Sequence, residues 1–236
     1  MDSRQSKLLA AIIDQFITTA IPVGSKNLLE AAGFAVSGAT IRNEMRLLCD
    51  EGFLEQPHIS AGRIPTTKGY RAYVKEFMDP GPQEKIVQKK FAGLKEQYFQ
   101  RKDQEKAYEA VALLAQMIPN VAFATVPHKP GVYYLGLANI LRQPEFMVNP
   151  GLATGVVEVL EERLNELLNA VEVDDQTRYY IGDEHVFKQI QSCSLIVTAY
   201  QVHDRKGMIG VLGPMRMDYA YNTVALELVA DLLRSN

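Results

Sequence analysis

The sequence predicts an α+β protein with a helical N-terminal third and a C-terminal half built on a mainly antiparallel sheet. In the first 79 residues, apolar side chains recur at the helical spacing of three and four. From residue 119 onward, short runs of β-branched and aromatic residues are separated by turns, as in strands. Between these parts, the Pro/Gly break DPGPQ is followed by a second helical stretch. We therefore predict domains at 1–79 and 119–236, joined by a helical linker at 80–118.

Three helices are predicted at the start of the N-terminal domain. Ser6–Thr19 carries apolar residues along one helical face. Ser25 can cap a second, short helix that stops at Gly33. The third helix begins after Ser37, whose side chain can serve as its N-cap, and it ends at Gly52.

The third helix is predicted to have one apolar and one polar face. Ile41, Met45 and Leu48 form the apolar face. In bidentate pairs, arginine suits guanine and asparagine suits adenine, whereas hydroxyls near a helix N-terminus suit phosphates. A projection at 100° per residue places Ala39, Arg42, Asn43 and Arg46 on the opposite face, with Thr40 at its edge.

After this helix, FLEQ and RIPT predict two short strands joined by the loop PHISAG, and a last helix follows. Gln56–Phe77 contains four Lys or Arg and no acid before Glu76. Arg63, Lys68 and Arg71 could therefore follow a phosphate backbone without repulsion. The arrangement predicts a winged helix-turn-helix. The domain holds nine basic and nine acidic side chains, so a merely solvated charged face is the alternative.

The C-terminal domain is predicted to contain five strands and two helices. The strands are NVAFATV, VYYLGLANI, RYYIG, SLIVTAYQV and GMIGVLG, with HDRKG as the hairpin loop before the last. The helices are predicted at Thr154–Val171 and Tyr219–Arg234.

Composition and motifs argue against several classes of function. The chain is 47% apolar and 22% charged, has no signal-peptide pattern, and has no apolar run near the ~20 residues of a membrane span. Cys49 and Cys193 are predicted to be buried thiols in a reducing cytoplasm rather than a disulfide. The four histidines lack metal-ligand spacing, and no nucleotide-binding or hydrolase motif occurs. We expect no metal, no cofactor and no enzymatic activity.

Several motifs resemble those of one protein family. PVGSK, SGATIRNEM and above all LEQPHISAGRIPTTKGYRAYV are similar to blocks of the heat-inducible transcription repressor family, HrcA. LANILRQPEF, YIGDEHVF and GVLGPMRMDYA resemble later blocks of the same family. The resemblance covers nearly the whole chain.

The resemblance implies a repressor of chaperone operons that binds an inverted-repeat operator of the CIRCE type as a homodimer. It also implies a GAF-like C-terminal domain and control by a GroEL-type chaperonin. The predicted DNA-binding residues, from the helix, the wing and the resemblance together, are Ser25, Lys26, Ser37, Thr40, Arg42, Asn43, Arg46, His58, Ser60, Arg63, Thr66, Lys68 and Arg71.

One departure from the family pattern concerns dimerisation. Family members carry an inserted domain that helps them dimerise, whereas here VAFATVPHKPG runs almost directly into VYYLGLANI. Because this chain lacks the inserted domain, its sequence predicts neither the dimer geometry nor a chaperonin contact made through the insert. A protein that acts with the chaperonin, with DNA secondary, is one alternative function.

A ligand-sensing regulator is the other alternative, because GAF-like folds often hold small molecules. Arg216 and Asp218 are the polar candidates for such a pocket. In the contrasting interpretation, the two residues form a structural pair beside a helix N-terminus, where aspartate is favoured.

Overall fold

The computed structural model describes residues 3–32, 34, 36–98, 106–127, 131–174, 176–202 and 205–234. The chain divides into two compact units, Met1–Met78 and Asp79–Asn236. None of the helices in the described ranges is both long enough and apolar enough to span a membrane.

The first unit is built from helices and one short antiparallel strand pair. Its elements are α1 Ser3–Thr19, α2 Ser25–Ala32, α3 Gly38–Asp50, β1 Leu54–Glu55, β2 Ile64–Pro65, α4 Thr67–Ala72 and a π-helical turn at Tyr73–Phe77. The two strands pair Leu54 with Pro65 and Glu55 with Ile64. The helices and the hairpin follow one another in the predicted order.

The start of α2 differs from the prediction. Ser25 is the first residue of the helix rather than its cap. The carbonyl of Gly24 accepts a hydrogen bond from the N–H of Leu28 at 3.3 Å, so Gly24 occupies the cap position. The helix runs to Ala32, and the predicted stop at Gly33 lies outside the described residues.

An apolar core joins α1 to α3, as the periodicity predicts. Burying one such side chain stabilises the fold by about 1.5–3 kcal/mol. Glu44 lies on the same face of α3, is also buried, and forms an ion pair with Arg4 of α1. Because α3 turns this face inward, its opposite face is left at the surface. The buried apolar residues of the two helices include Leu8, Leu9, Ile12, Ile13, Ile41, Met45 and Leu48.

The second unit is a five-stranded sheet with helices on both faces. Its elements are α5 Gly81–Tyr98, α6 Lys106–Met117, β3 Val121–Thr125, β4 Val132–Leu135, α7 Leu137–Leu141, α8 Pro144–Val148, α9 Pro150–Glu162, α10 Leu164–Asn169, β5 Arg178–Ile181, β6 Cys193–Val202, β7 Arg205–Pro214 and α11 Tyr219–Arg234. The strand order is β4-β3-β7-β6-β5, and every pair is antiparallel. This confirms the predicted α+β class.

Alternate residues of the sheet pack against different helices. Leu195 and Val197 of β6 join an apolar cluster with residues of α9 and α10. On the other face, α11 packs against β6 and α6 packs against β3. Helices α5 and α6, which the sequence analysis assigned to a linker, also pack against α11. They therefore belong to the second unit.

The predicted strand VYYLGLANI is wrong in its second half. The strand β4 ends at Leu135, and residues Leu137–Leu141 form α7. Between them, Gly136 has a φ of 97°, a conformation that side chains with a Cβ rarely adopt. A Cβ at this position would lie 2.4 Å from the carbonyl oxygen of Asn120. The glycine thus reverses the chain and starts the helix.

The predicted helix Thr154–Val171 is two helices. The first, α9, starts earlier than predicted, at Pro150, and ends at Glu162, and α10 follows from Leu164. Arg163 breaks the helix with a φ of −128° and a ψ of 12°. The break redirects the chain, and apolar residues of both helices remain in one core cluster.

The predicted loop HDRKG is too long. Strand β7 begins at Arg205, and its ladder with β6 pairs Lys206 with Gln201 and Gly207 with Tyr200. A Cβ on Gly207 would lie 2.5 Å from Cζ of Tyr200, so this glycine sits directly against the tyrosine ring. No local sequence pattern predicts that contact, so the loop was predicted to end too late. The first two loop residues, 203 and 204, lie outside the described part of the chain.

The two cysteines are free thiols, as predicted. Cys193 is fully buried, and burial raises the pKa of its thiol to about 12. The thiol therefore stays protonated at neutral pH and is a poor nucleophile. Cys49 is only partly buried, which is less than predicted.

Two glycines in helices are expected to respond in opposite ways to substitution by alanine. A Cβ on Gly69 would lie 2.3 Å from the carbonyl oxygen of Phe53, so Gly69→Ala should destabilise the first unit by about 1–3 kcal/mol. A Cβ on Gly93 in α5 meets nothing within 4 Å, so Gly93→Ala should stabilise the second unit by about 0.5–1 kcal/mol. Hydrogen exchange read by mass spectrometry measures the opening of each unit separately. Equal effects of the two substitutions would contradict the close approach at Gly69.

Candidate nucleic-acid interface

The N-terminus of α3 is capped by its own hydroxyl groups. Ser37 is the N-cap, and its Oγ accepts a hydrogen bond from the N–H of Thr40 at 3.1 Å, which confirms the predicted cap. The hydroxyls of Ser37 and Thr40 are 2.9 Å apart. The positive end of the helix dipole lies here, at a surface position suited to an anion.

Three predicted side chains lie on the outer face of α3. Arg42, Asn43 and Arg46 are all exposed, opposite the buried face. Nη2 of Arg46 donates a hydrogen bond to Oδ1 of Asn43 at 3.3 Å. Arginine has five N–H donors, so this contact leaves Arg46 with donors for a base edge.

The loop of the hairpin is held in a defined shape by Gln56. Its Nε2 donates to the carbonyl oxygens of Ile59 at 2.8 Å and of Ala61 at 2.9 Å. The N–H of Ala61 donates to the carbonyl of His58 at 2.8 Å, which closes a turn. Oγ of Ser60 lies 3.4 Å from Nδ1 of His58. His58 and Ser60 are both exposed on this loop.

The base of the loop is tied to the chain segment before α2. Val23 and Arg63 exchange two backbone hydrogen bonds, each 2.9 Å long. The backbones approach so closely that a Cβ on Gly62 would lie 2.5 Å from the carbonyl oxygen of Val23. Only a glycine fits there, and the contact holds Arg63 beside the start of α2.

These elements enclose a cleft of about 330 Å³, called the wing cleft below. It brings together four predicted residues from three parts of the first unit. Nε of Arg63 is buried and makes no hydrogen bond within the described part of the chain. A buried donor without an acceptor is costly, and an anion in the cleft would supply that acceptor. The predicted residues that line the wing cleft are Ser25, Arg42, Ser60 and Arg63.

Two predicted residues are instead bound to the C-terminal end of α3. Oγ1 of Thr66 donates to the carbonyl of Gly52 at 2.7 Å and also caps α4. Nζ of Lys68 donates to the carbonyl of Glu51 at 2.7 Å and lies 4.2 Å from the ring centre of Phe53. Helix α3 is about 20 Å long, so these groups lie far from Ser37 along its axis.

Two further predicted residues, Lys26 and Arg71, lie outside the wing cleft. Lys26 is exposed in the first turn of α2. Arg71 lies in the last turn of α4 and is partly buried.

The two candidates for a ligand site in the second unit have separate surroundings. Arg216 forms an ion pair with Glu145 and donates to Oε1 of Gln143 at 2.8 Å. Asp218 caps α11, because its Oδ1 accepts from the N–H of Tyr221 at 2.9 Å. The predicted position beside a helix N-terminus therefore describes Asp218 correctly.

Asp218 also lines a cleft of about 930 Å³ among α5, α6, α7 and α11. Lys90 reaches this cleft, and its Nζ donates to the carbonyl of Met117 at 2.5 Å. Burial lowers the pKa of Lys90. Arg216 is not among the residues that line the cleft. No cluster of three or more metal-ligating side chains occurs in the ranges that the structure describes.

Comparison with known proteins identifies the family. The family model described as "HrcA protein C terminal domain" matches residues 83–222. The chain belongs to the HrcA family of heat-inducible transcription repressors. Binding of DNA is implied by that role, and the role does not involve catalysis.

Individual HrcA relatives match almost the whole chain. The heat-inducible transcription repressor HrcA of Desulforudis audaxviator (strain MP104C) is 29% identical over 327 residues, which covers 96% of this chain and 95% of the relative. The one of Mycolicibacterium gilvum (strain PYR-GCK) is 30% identical over 208 residues, covering 86% of this chain and 58% of the relative. The first alignment is longer than this chain of 236 residues, so that relative contains residues without a counterpart here.

A solved structure has the same fold. The crystal structure of a hypothetical protein at 2.2 Å resolution gives a TM-score of 0.79 with 18% identity, covering 100% of this chain and 97% of that chain. At this identity the likeness concerns the fold alone. The five-stranded antiparallel sheet of the second unit fits a GAF-like domain.

Sequence reasoning missed the residues that shape the wing cleft. Gln56 and Gly62 hold the loop, and Val23 pairs with its base, but none of them was among the predicted DNA-binding residues. A weak signal was present in Pro22, because proline favours an extended chain that can pair with a strand. The partner of that segment could not be read from the sequence.

Lys68 is expected to contribute to stability through the end of α3. Lys68→Met keeps an apolar stem of similar length but removes the ammonium from the Glu51 carbonyl and the Phe53 ring. The free energy of unfolding of the first unit should fall by about 0.5–1 kcal/mol. Lys75→Met, at an exposed lysine of the same unit, is the matched control and should have little effect. Hydrogen exchange measures the opening free energy of the first unit in both variants. Equal losses in Lys68→Met and Lys75→Met would contradict the stabilising role of Lys68.

Proposed function

We propose that this chain is a sequence-specific DNA-binding repressor of heat-shock operons and that its first unit is a winged helix-turn-helix. The observation that carries the proposal is the wing cleft. Side chains from α2, α3 and the hairpin loop converge on it, in a region with no acid from Gln56 to Lys75. Family membership supports the repressor role independently.

In this proposal α3 enters the major groove with its exposed face toward the bases. An α-helix fits the major groove, where each base pair presents its own pattern of donors and acceptors. Arg42 and Arg46 suit guanine and Asn43 suits adenine. The hydroxyls of Ser37 and Thr40 stand at the helix N-terminus, where backbone and hydroxyl donors bind a phosphate.

The wing cleft holds a backbone phosphate in this proposal. Arg63 offers its buried Nε, and the hydroxyl-bearing Ser60 lines the same cleft. Ser25, in the first turn of α2, adds a hydroxyl and the positive end of the helix dipole. Lys26, His58, Ser60 and Arg71 are assigned to further backbone contacts. Thr66 and Lys68 are assigned to holding α3 and the wing together.

We further propose that two copies bind an inverted repeat of the CIRCE type and that a GroEL-type chaperonin modulates their activity. Two recognition helices on one face of DNA read half-sites about 34–36 Å apart. Both proposals rest on family membership. Because relatives contain residues without a counterpart here, the mass of this chain in solution, measured with and without operator DNA, tests the dimer directly.

Base contacts and phosphate contacts are expected to differ in their effects on specificity. Arg46→Ala or Arg42→Ala should weaken binding to the repeat by about 1–3 kcal/mol and reduce preference over a scrambled duplex. Arg63→Ala should weaken binding to both duplexes alike and reduce the salt slope by about 1. Arg142→Ala, at an exposed arginine of the second unit, is the control. The measurement is a fluorescence-anisotropy titration at several salt concentrations. Specific binding that is indifferent to all three substitutions would exclude the proposed interface.

A second candidate function is a ligand-sensing regulator, and the cleft of about 930 Å³ favours it. A small molecule bound there should raise the melting temperature, because it stabilises the folded state. Ala112→Phe, which fills the cleft from α6, should abolish the shift without removing operator binding. The measurement is a thermal-shift screen of metabolites. The absence of any shift across the screen would count against this candidate.

A further inference from the structure

We propose that Ile59 is an apolar wedge that the wing inserts into the minor groove of operator DNA. The inference rests on the proposed DNA-binding function and adds a specific contact to it. The side chain of Ile59 is 98% exposed at the apex of the hairpin loop. Among the described residues of the first unit, two other large apolar side chains are exposed, Ile21 at 64% and Leu47 at 36% of their surface. Of the three, Ile59 alone stands almost wholly in water.

The loop holds Ile59 outward rather than leaving it to collapse on the surface. Ile59 and Ser60 occupy the two central positions of the turn closed by Ala61 N–H and the His58 carbonyl. The amide of Gln56 binds the carbonyls on both sides of Ser60, at 2.8 and 2.9 Å. A β-branched side chain also has few rotamers. Little conformational entropy would therefore be lost when Ile59 is buried in a partner.

The surroundings of Ile59 favour nucleic acid over protein as that partner. Its neighbours His58 and Ser60 are polar and exposed, and the adjacent wing cleft holds Arg42 and Arg63. A protein-docking surface needs several adjoining apolar side chains, whereas this one stands among polar and basic groups. An isolated apolar tip flanked by phosphate-binding groups matches proteins that wedge isoleucine, leucine or phenylalanine between base steps.

The geometry of the first unit directs the wedge to the minor groove. In the proposed complex, α3 occupies the major groove and Arg63 binds a phosphate at the groove edge. The loop that leads into Arg63 then reaches beyond that phosphate to the neighbouring minor groove. A wedge there unstacks one base step and favours steps that unstack easily, such as TA and CA. Ile59 would thus add sequence preference outside the bases read by α3.

The test is a scan of operator duplexes that carry 2-aminopurine, whose fluorescence rises when stacking is lost. Wild-type protein should brighten the probe at one position in each half-site and nowhere else. Ile59→Ala should abolish that brightening and weaken binding about tenfold. The DNA affinity of the Ile59→Ala variant should depend on salt as steeply as that of the wild type, because an apolar contact releases no counterions. Ile21→Ala, the same substitution at an exposed isoleucine outside the wing, should behave as wild type.

A double substitution tests whether the hydrogen bonds from Gln56 to the loop carbonyls act by presenting Ile59. Gln56→Ala should weaken binding more in the wild-type background than in the Ile59→Ala background, because part of its effect acts through the presentation of Ile59. Wild-type protein that binds the repeat without brightening any probe, or Ile59→Ala with wild-type affinity, would overturn the inference. Wild-type protein with no preference for the repeat would overturn the proposed function itself, so the two failures are distinguishable.

Discussion

The two backbone hydrogen bonds between Val23 and Arg63 are the constraint on which the candidate interface depends. They join the segment before α2 to the base of the wing, and the bare backbone of Gly62 permits the close approach. Without them, Arg63 would have no fixed relation to Ser25 or Arg42, and the wing cleft would not form. Two hydrogen bonds of 2.9 Å thus bring Ser25, Arg42 and Arg63 together around one cleft.

Helix α3 is held along its inner face and at its C-terminal end, which leaves its outer face at the surface. Its inner face packs on α1 through Ile41 and Met45, and the ion pair between Glu44 and Arg4 adds a polar contact. At its C-terminal end, Nζ of Lys68 donates a hydrogen bond to the carbonyl of Glu51, the residue that follows the helix. A helix fixed in this way cannot rotate about its axis to present another face. Such a helix presents the same face in the free and the bound protein, so less conformational entropy is lost on complex formation.

The second unit uses its two candidate ligand-site residues to hold its own structure. Its polar groups are engaged in structure: Asp218 caps α11, and Arg216 is paired with Glu145. The larger cleft of this unit opens among α5, α6, α7 and α11, beside the end of β4. The N-terminus of α11, capped by Asp218, borders this cleft.

The sequence by itself determined the features that depend on near neighbours. The two faces of α3, the Ser37 cap, the hairpin and four of the five strands could be read from local spacing, because helix and strand periodicities repeat within a few residues. Tertiary structure alone decided where more distant groups meet. It directed the side chain of Lys68 to the end of α3 rather than to the wing cleft. It also paired Val23 with Arg63 and left Ile59 exposed. Such contacts depend on how distant segments pack, and no pattern within one segment specifies its partner.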